Sequence, residues 1–216
     1  MKLISVAIGQ ERSIPNAKAS GMTGIYKLPV NTPVQITSDG IPGDVICDKK
    51  HHGGPDQAIY IYGTADYQWW AGALGRELSP GTFGENLTIS NLESAALHAG
   101  DILQIGTLRL QVTSPRMPCG TLAARMGDAT FKQQFHLAER PGVYCRVLQG
   151  GLVQAGDLVH LEWYSGKTVS ILEMFRDYYT PDLREATLRY YLAAPISIRT
   201  RISKEKQLQK LLEKPG

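Results

Sequence analysis

Apolar and polar residues alternate along Lys2 to Gly9, and β-branched or alternating runs return at Gly24 to Val30 and Val34 to Thr37, with Pro15-Asn16, Pro33 and Asp39-Gly40 as breaks. These runs predict strands. Ala58-Ile59-Tyr60-Ile61-Tyr62 predicts another, and Thr64 reads as the N-cap of a helix that passes Trp69 and Trp70 and ends near Gly72 or Gly75. Leu87 to Ser90 resumes the sheet. Asp101 to Ile105 and Leu108 to Thr113 flank Gly106-Thr107 as a hairpin, and Val143 to Leu148 and Leu158 to Trp163 follow. Short helices are expected over Thr121 to Met126, stopped by Gly127, and over Asp128 to Ala138. The tripeptide Ala-Gly-Asp at 99–101 and again at 155–157 stands just ahead of a strand each time, which is turn chemistry. About nine short strands with Gly/Pro punctuation predict a mainly β chain with helices, built as a closed or half-closed β-barrel and not as alternating βαβ units.

After Ser165-Gly166 the period changes. Ile171, Leu172, Phe175, Tyr178 and Tyr179 form the stripe of an amphipathic helix. Thr180-Pro181 reads as the N-cap and first position of a second helix carrying Leu183, Leu188, Tyr191 and Leu192 and stopped by Pro195. A third is expected from about Ser203, with Leu208, Leu211 and Leu212 as its buried stripe. The division predicted is a β-barrel domain over 1–164 and a small three-helix bundle over 165–216.

Composition narrows the class. The chain has 216 residues, 43% hydrophobic and 20% charged, enough for a sizeable core in one domain with a small appendage. No apolar run approaches the roughly 20 residues of a membrane helix, and Met1 to Gln10 lacks a small-residue cleavage site, so the expectation is a cytoplasmic protein with no membrane partner. Three cysteines, Cys47, Cys119 and Cys145, are too few for a disulfide framework, a four-cysteine zinc site or an iron–sulfur cluster. The net charge of +3 does not argue for nucleic acid. It is unevenly spread, since residues 165–216 carry ten Lys and Arg against six Asp and Glu.

Candidate chemistry concentrates in three stretches. In Ser114-Pro115-Arg116-Met117-Pro118-Cys119-Gly120 each proline fixes its own φ and restricts the residue before it, so the thiol is aimed. A helix beginning just after Cys119 and the guanidinium of Arg116 both favour thiolate, the form that attacks electrophiles or binds a soft metal. The bland alternative is a buried structural cysteine beside a proline turn. Lys49-Lys50-His51-His52-Gly53-Gly54-Pro55-Asp56 is the densest cationic patch, and its Gly pair could form a backbone nest for phosphate or another oxyanion; its alternative is a solvated basic loop. Adjacent histidines point apart, which argues against zinc. Gly81-Thr82-Phe83-Gly84-Glu85-Asn86-Leu87 places Asn86, a donor and an acceptor suited to a heterocycle edge, just before a strand, where a plain turn residue is the commoner explanation.

The order Gly40-x-x-Gly43-Asp44, Lys50-x-His52-Gly53-Gly54-Pro55-Asp56, Gly84-Glu85-Asn86-Leu87 and Pro115-Arg116-x-Pro118-Cys119 resembles the MOSC domain family, named for the C-terminal domain of molybdenum cofactor sulfurases. The likeness covers about Lys2 to Trp163, and the tail resembles the three-helix segment of the YiiM-like branch. The resemblance implies a β-barrel carrying a molybdopterin-type cofactor, with Cys119 matching the cysteine that ligates molybdenum in the related mitochondrial amidoxime-reducing components. It implies that Arg116 and Asn86 hold the pterin or its phosphate, that Tyr144 lines the pocket and, as a weaker match, that Lys27 joins them. In the mitochondrial relatives the arginine directly precedes the cysteine, whereas Met117 and Pro118 intervene here. A cofactor contact for Lys50, His52, Gly53 and Gly54 follows from their chemistry and not from those relatives.

The implied reaction is reductive N–O cleavage of N-hydroxylated small molecules, including hydroxylamino base analogues, with His52 and Glu85 as candidate acids. Electrons would come from a separate reductase, because the chain has no strand-linked G-x-G-x-x-G fingerprint and too few cysteines for a cluster. The alternative is a non-redox sulfur carrier with a Cys119 persulfide. A helix-turn-helix reading of the basic tail is disfavoured, since its last helix mixes Lys204, Glu205, Lys206, Lys210 and Glu213 without Asn/Arg clustering.

Overall fold

The computed structural model describes residues 1–15, 21–49 and 52–213. In its first half lie β1 (Leu3–Gly9), β2 (Arg12–Ser13), β3 (Met22–Thr23), β4 (Lys27–Pro29), β5 (Val34–Ile36), β6 (Ile59–Gly63), α1 (Thr64–Leu74) and β7 (Leu87–Ile89). The hairpin β8 (Ile102–Ile105) and β9 (Leu108–Pro115) follows, then α2 (Gly120–Met126), α3 (Phe131–Ala138), β10 (Val143–Gln149), β11 (Gly151–Val153) and β12 (Val159–Glu162). The chain ends in α4 (Ile171–Tyr179), α5 (Glu185–Leu192) and α6 (Ile198–Leu212).

Eight strands make one mixed sheet in the order β12-β8-β9-β10-β6-β7-β1-β4, antiparallel except for β6 beside β7. The ladder is not closed into the expected barrel. β5 leaves it to pair with β11, and β4 ends the sheet after three residues. One bridge, Lys2 to Leu158, with the bond from Val159 N–H to the Met1 carbonyl, ties the start of β1 to β12.

The period-2 alternation of β6 organises the interior. Ile59 and Ile61 enter an aliphatic core shared with Leu3, Leu87, Leu110 and Val143, while Tyr60 and Tyr62 enter an aromatic core with Trp70, Phe83, Phe131 and Phe135. A strand buried on both faces reads as a continuous apolar run, as this one does. Cys145 sits in the aliphatic core, where burial pushes its thiol far up and leaves it inert. Both Ala-Gly-Asp turns close alike: Asp101 Oδ2 accepts from His98 N–H and Asp157 Oδ2 from Gln154 N–H, each at 2.8 Å.

Several helix ends depart from the pattern. Gly63, not Thr64, is the N-cap of α1, and the Thr64 hydroxyl instead accepts from Asn91 N–H. Thr180 closes α4, and α5 starts only at Glu185, because the Asp182 carboxylate accepts from Arg184 N–H in a local turn ahead of the helix and from the Thr187 hydroxyl in its first turn. α6 starts five residues earlier than its predicted Ser203, capped by Ser197 Oγ on Thr200 N–H. Its expected stripe is not buried: Leu211 and Leu212 are exposed, and the buried residue is Lys204, paired with Asp177 of α4 and lying over the Tyr191 ring of α5. α4 packs on β9, and α5 packs on α6.

Candidate active site around Cys119

Backbone contact too close for any side chain shapes one wall of the cavity that holds Cys119. A Cβ on Gly24 would stand 1.8 Å from the Val45 carbonyl oxygen, so only glycine lets the chain after β3 run against the segment before Cys47. Gly81, Thr82 and Ile25 are pinned by one side chain, Arg125 of α2, whose guanidinium donates to all three of their carbonyls at 2.6 to 2.9 Å. The cleft measures about 650 Å³ including its open mouth, and Lys27, Asp44, Cys47, His52, Gly53, Gln57, Tyr60, Asn86, Arg116, Cys119 and Tyr144 are among its lining.

Cys119 is the N-cap of α2, and its carbonyl accepts from Leu122 N–H and Ala123 N–H. Burial by itself would raise its thiol. A hydrogen bond with the His52 side chain, the Arg116 guanidinium and the Leu122 N–H outweigh that and hold it at about 6. Arg116 Nη2 lies 4.0 Å from Sγ, its guanidinium covers the Tyr60 ring at 5.2 Å, and Nη1 is buried with no hydrogen-bond partner among the described residues. A buried guanidinium N–H left open in a cavity wall is an anchor for an anion. His52 stands between the thiol and Tyr144, whose hydroxyl is 3.1 Å from Nδ1.

On the opposite side Asp44 collects three donors: Lys27 Nζ at 2.5 and 2.6 Å, Gly9 N–H at 2.7 Å and Asn86 Nδ2 at 2.9 Å. Burial lowers the Lys27 pKa and Asp44 opposes that, leaving a compensated pair in the wall. The Asn86 carbonyl oxygen accepts from Tyr60 N–H, so the amide predicted to read a heterocycle edge is engaged at both ends by the protein.

The structure therefore brings Lys27, His52, Gly53, Asn86, Arg116, Cys119 and Tyr144 to one cavity. Gly54 stands just outside the lining, ahead of the turn Pro55–Gln57. Gly53 and Gly54 both have positive φ, 83° and 89°, which is not the right-then-left alternation of a backbone nest. Lys50 and His51 lie outside the described residues. Glu85 is not an available acid: it is fully buried, and its carboxylate accepts from Tyr67, Gly81 N–H, Phe83 N–H and Thr88. Tyr60 and Gln57 were not singled out by sequence. The alternation of β6 places Tyr60 beside Tyr62 on one face, a signal that was available, whereas nothing local marks Gln57.

Among the described residues no three His, Cys, Asp or Glu side chains converge as a metal cluster. A metal at this site would take one protein ligand, the Cys119 thiolate, and its other ligands from a cofactor. That suits a soft metal carried on a dithiolene, whose anionic portion Arg116 would hold. No helix among the described residues is long and apolar enough to cross a membrane.

Residues 48–160 match the model of the MOSC domain. The chain is 31% identical over 169 residues to the uncharacterized protein YflK of Bacillus subtilis, covering 78% of this chain and 76% of that one. It is 30% identical over 143 residues, 64% of its length, to a protein of Gibberella moniliformis named a reductase, of which the match spans 25%. The crystal structure of YiiM from Geobacillus stearothermophilus superposes with a TM-score of 0.78 at 28% identity, covering 96% of this chain and 98% of that one. With the domain match spanning more than half of its residues and the fold shared along nearly its whole length, this chain belongs to the MOSC domain family.

Proposed function

We propose that this chain is a molybdenum-cofactor-dependent reductase that cleaves the N–O bond of N-hydroxylated compounds. The overall balance is R–NHOH plus two electrons and two protons giving R–NH2 and water. One observation carries the reading: a thiol held at about 6 shares a cavity with a buried guanidinium whose Nη1 has no hydrogen-bond partner among the described residues. Thiolate and anion anchor are the two ends a metal–pterin phosphate requires, and a match to a protein named a reductase supports the reaction type. Bound here, the cofactor would supply the soft metal and the two-electron reductant.

The chain's own residues divide the remaining work. Cys119 ligates, and Arg116, stacked on Tyr60, offers Nη1 to the anionic part of the cofactor. His52, with the Tyr144 hydroxyl at its Nδ1, is the group placed to hold a proton for the departing oxygen. Lys27 and Asn86 act through Asp44, fixing the wall. Electrons come from a separate reductase.

The test is metal and oxidised-pterin analysis of the full chain made in a cofactor-competent host, with reduction of a hydroxylamino base analogue by a chemical electron donor. Cys119→Ser should lose metal and turnover, while Cys47→Ser and Cys145→Ala keep both. Protein that takes up no molybdenum overturns the reading. Cyanide-releasable sulfur on Cys119 in such protein would establish the sulfur carrier, which the low thiol pKa also suits.

A further inference from the structure

The loop that carries His52 is held by the far end of the chain. Asp56, four residues past His52, uses its Oδ2 to accept from Ile198 N–H, the first residue of α6, at 2.5 Å. Its Oδ1 lies 2.9 Å from Arg146 Nε, an ion-pair distance, and Arg146 in turn donates through Nη2 to the carbonyls of Pro195 and Ile196. One residue further along α6, Arg199 reaches back with both arms, Nη1 to the Gln57 side chain at 3.3 Å and Nη2 to the Lys49 carbonyl at 3.4 Å. The loop's inner bond runs from His52 N–H to the Asp48 carbonyl at 2.9 Å. Lys49 and Gln57 thus bracket His52 in sequence, and one guanidinium spans the bracket.

We propose that the N-terminal end of α6 positions the cavity loop, with Arg199 and Asp56 as positioning residues that set His52 against Cys119. Two glycines with positive φ follow His52, a conformation other residues rarely adopt, and the bonds from Ile198 and Arg199 fix the described residues on either side of it from outside the loop. A planar fork that grips two acceptors at fixed separation is suited to that task. The inference goes beyond the proposed reaction and holds for the metal-free chain, since it concerns only the His52–Cys119 contact.

Alkylation of Cys119 by iodoacetamide against pH reads that contact, in a Cys47→Ser background of the full chain with Cys145 buried. Among the described residues, the charged and titratable groups facing the thiol are His52, Arg116 and Tyr144. Arg199→Ala removes an exposed side chain. It should raise the alkylation midpoint by half a pH unit or more, about a three-fold change in the ionisation constant, and the same substitution in a His52→Ala background should change nothing further. No shift in the first background overturns the proposal. An equal shift in both overturns it too, because the arginine would then act on the thiol directly through its charge.

Discussion

Replacing His52 with alanine isolates the contact on which the site's chemistry depends. Burial works against the Cys119 thiolate, and the bond with His52 stands first among the groups that overcome it, ahead of Arg116. A hydrogen bond to a charged group is worth about 1.5 to 3 kcal/mol, so its loss should raise the midpoint of thiol ionisation by about one to two pH units. At pH 7 the thiolate fraction would fall from about nine-tenths to between about a tenth and a half. The rate at one pH understates this, because a thiolate of higher pKa is the better nucleophile, with a Brønsted slope of about 0.4 to 0.5. The assay is therefore the full pH profile of iodoacetamide alkylation from pH 5 to 9, with Cys47 changed to serine. The intact site should show a midpoint near 6, and His52→Ala a higher midpoint with a faster alkaline plateau. An unchanged midpoint in the variant, or a midpoint near the ordinary thiol value in the parent, would refute the account. The sign extends to stability: a depressed thiol pKa contributes most above the unfolded value, and the contribution fades as pH falls through about 6.

Other perturbations test the walls. Lys27→Met should cost about 3 to 5 kcal/mol in urea unfolding, because it leaves Asp44 buried with neutral donors alone. Glu85→Ala strands Tyr67, Thr88 and two backbone N–H groups in the interior, and a melting curve should show a loss of at least about 3 kcal/mol. Gly24→Ala drives a Cβ into the Val45 carbonyl, which cannot yield without moving the cavity wall, so binding of any occupant should weaken along with thermal stability.

What the sequence determined by itself was local. Alternation and Gly/Pro punctuation located most strands, since side-chain period and turn chemistry act within a few residues, and two prolines and an arginine marked Cys119 as an aimed thiol. The family pattern joined Lys27, His52, Asn86, Arg116 and Tyr144 to it. Tertiary structure decided the rest, for reasons of distance along the chain. β5 chose β11 over the main ladder, a pairing across more than a hundred residues that no local period encodes. Lys204 is buried in α6 because Asp177 and Tyr191 come from other helices to receive it, and they cover only that part of the helix, so Leu211 and Leu212 beyond it stay exposed. Glu85 was legible as an acid but not as one closed in by four donors, which come together only when α1, β7 and the Gly81 turn have packed. The grip of Arg199 on the loop of His52, about 150 residues away in the chain, is the longest of these contacts, and only the folded chain brings its two halves within reach.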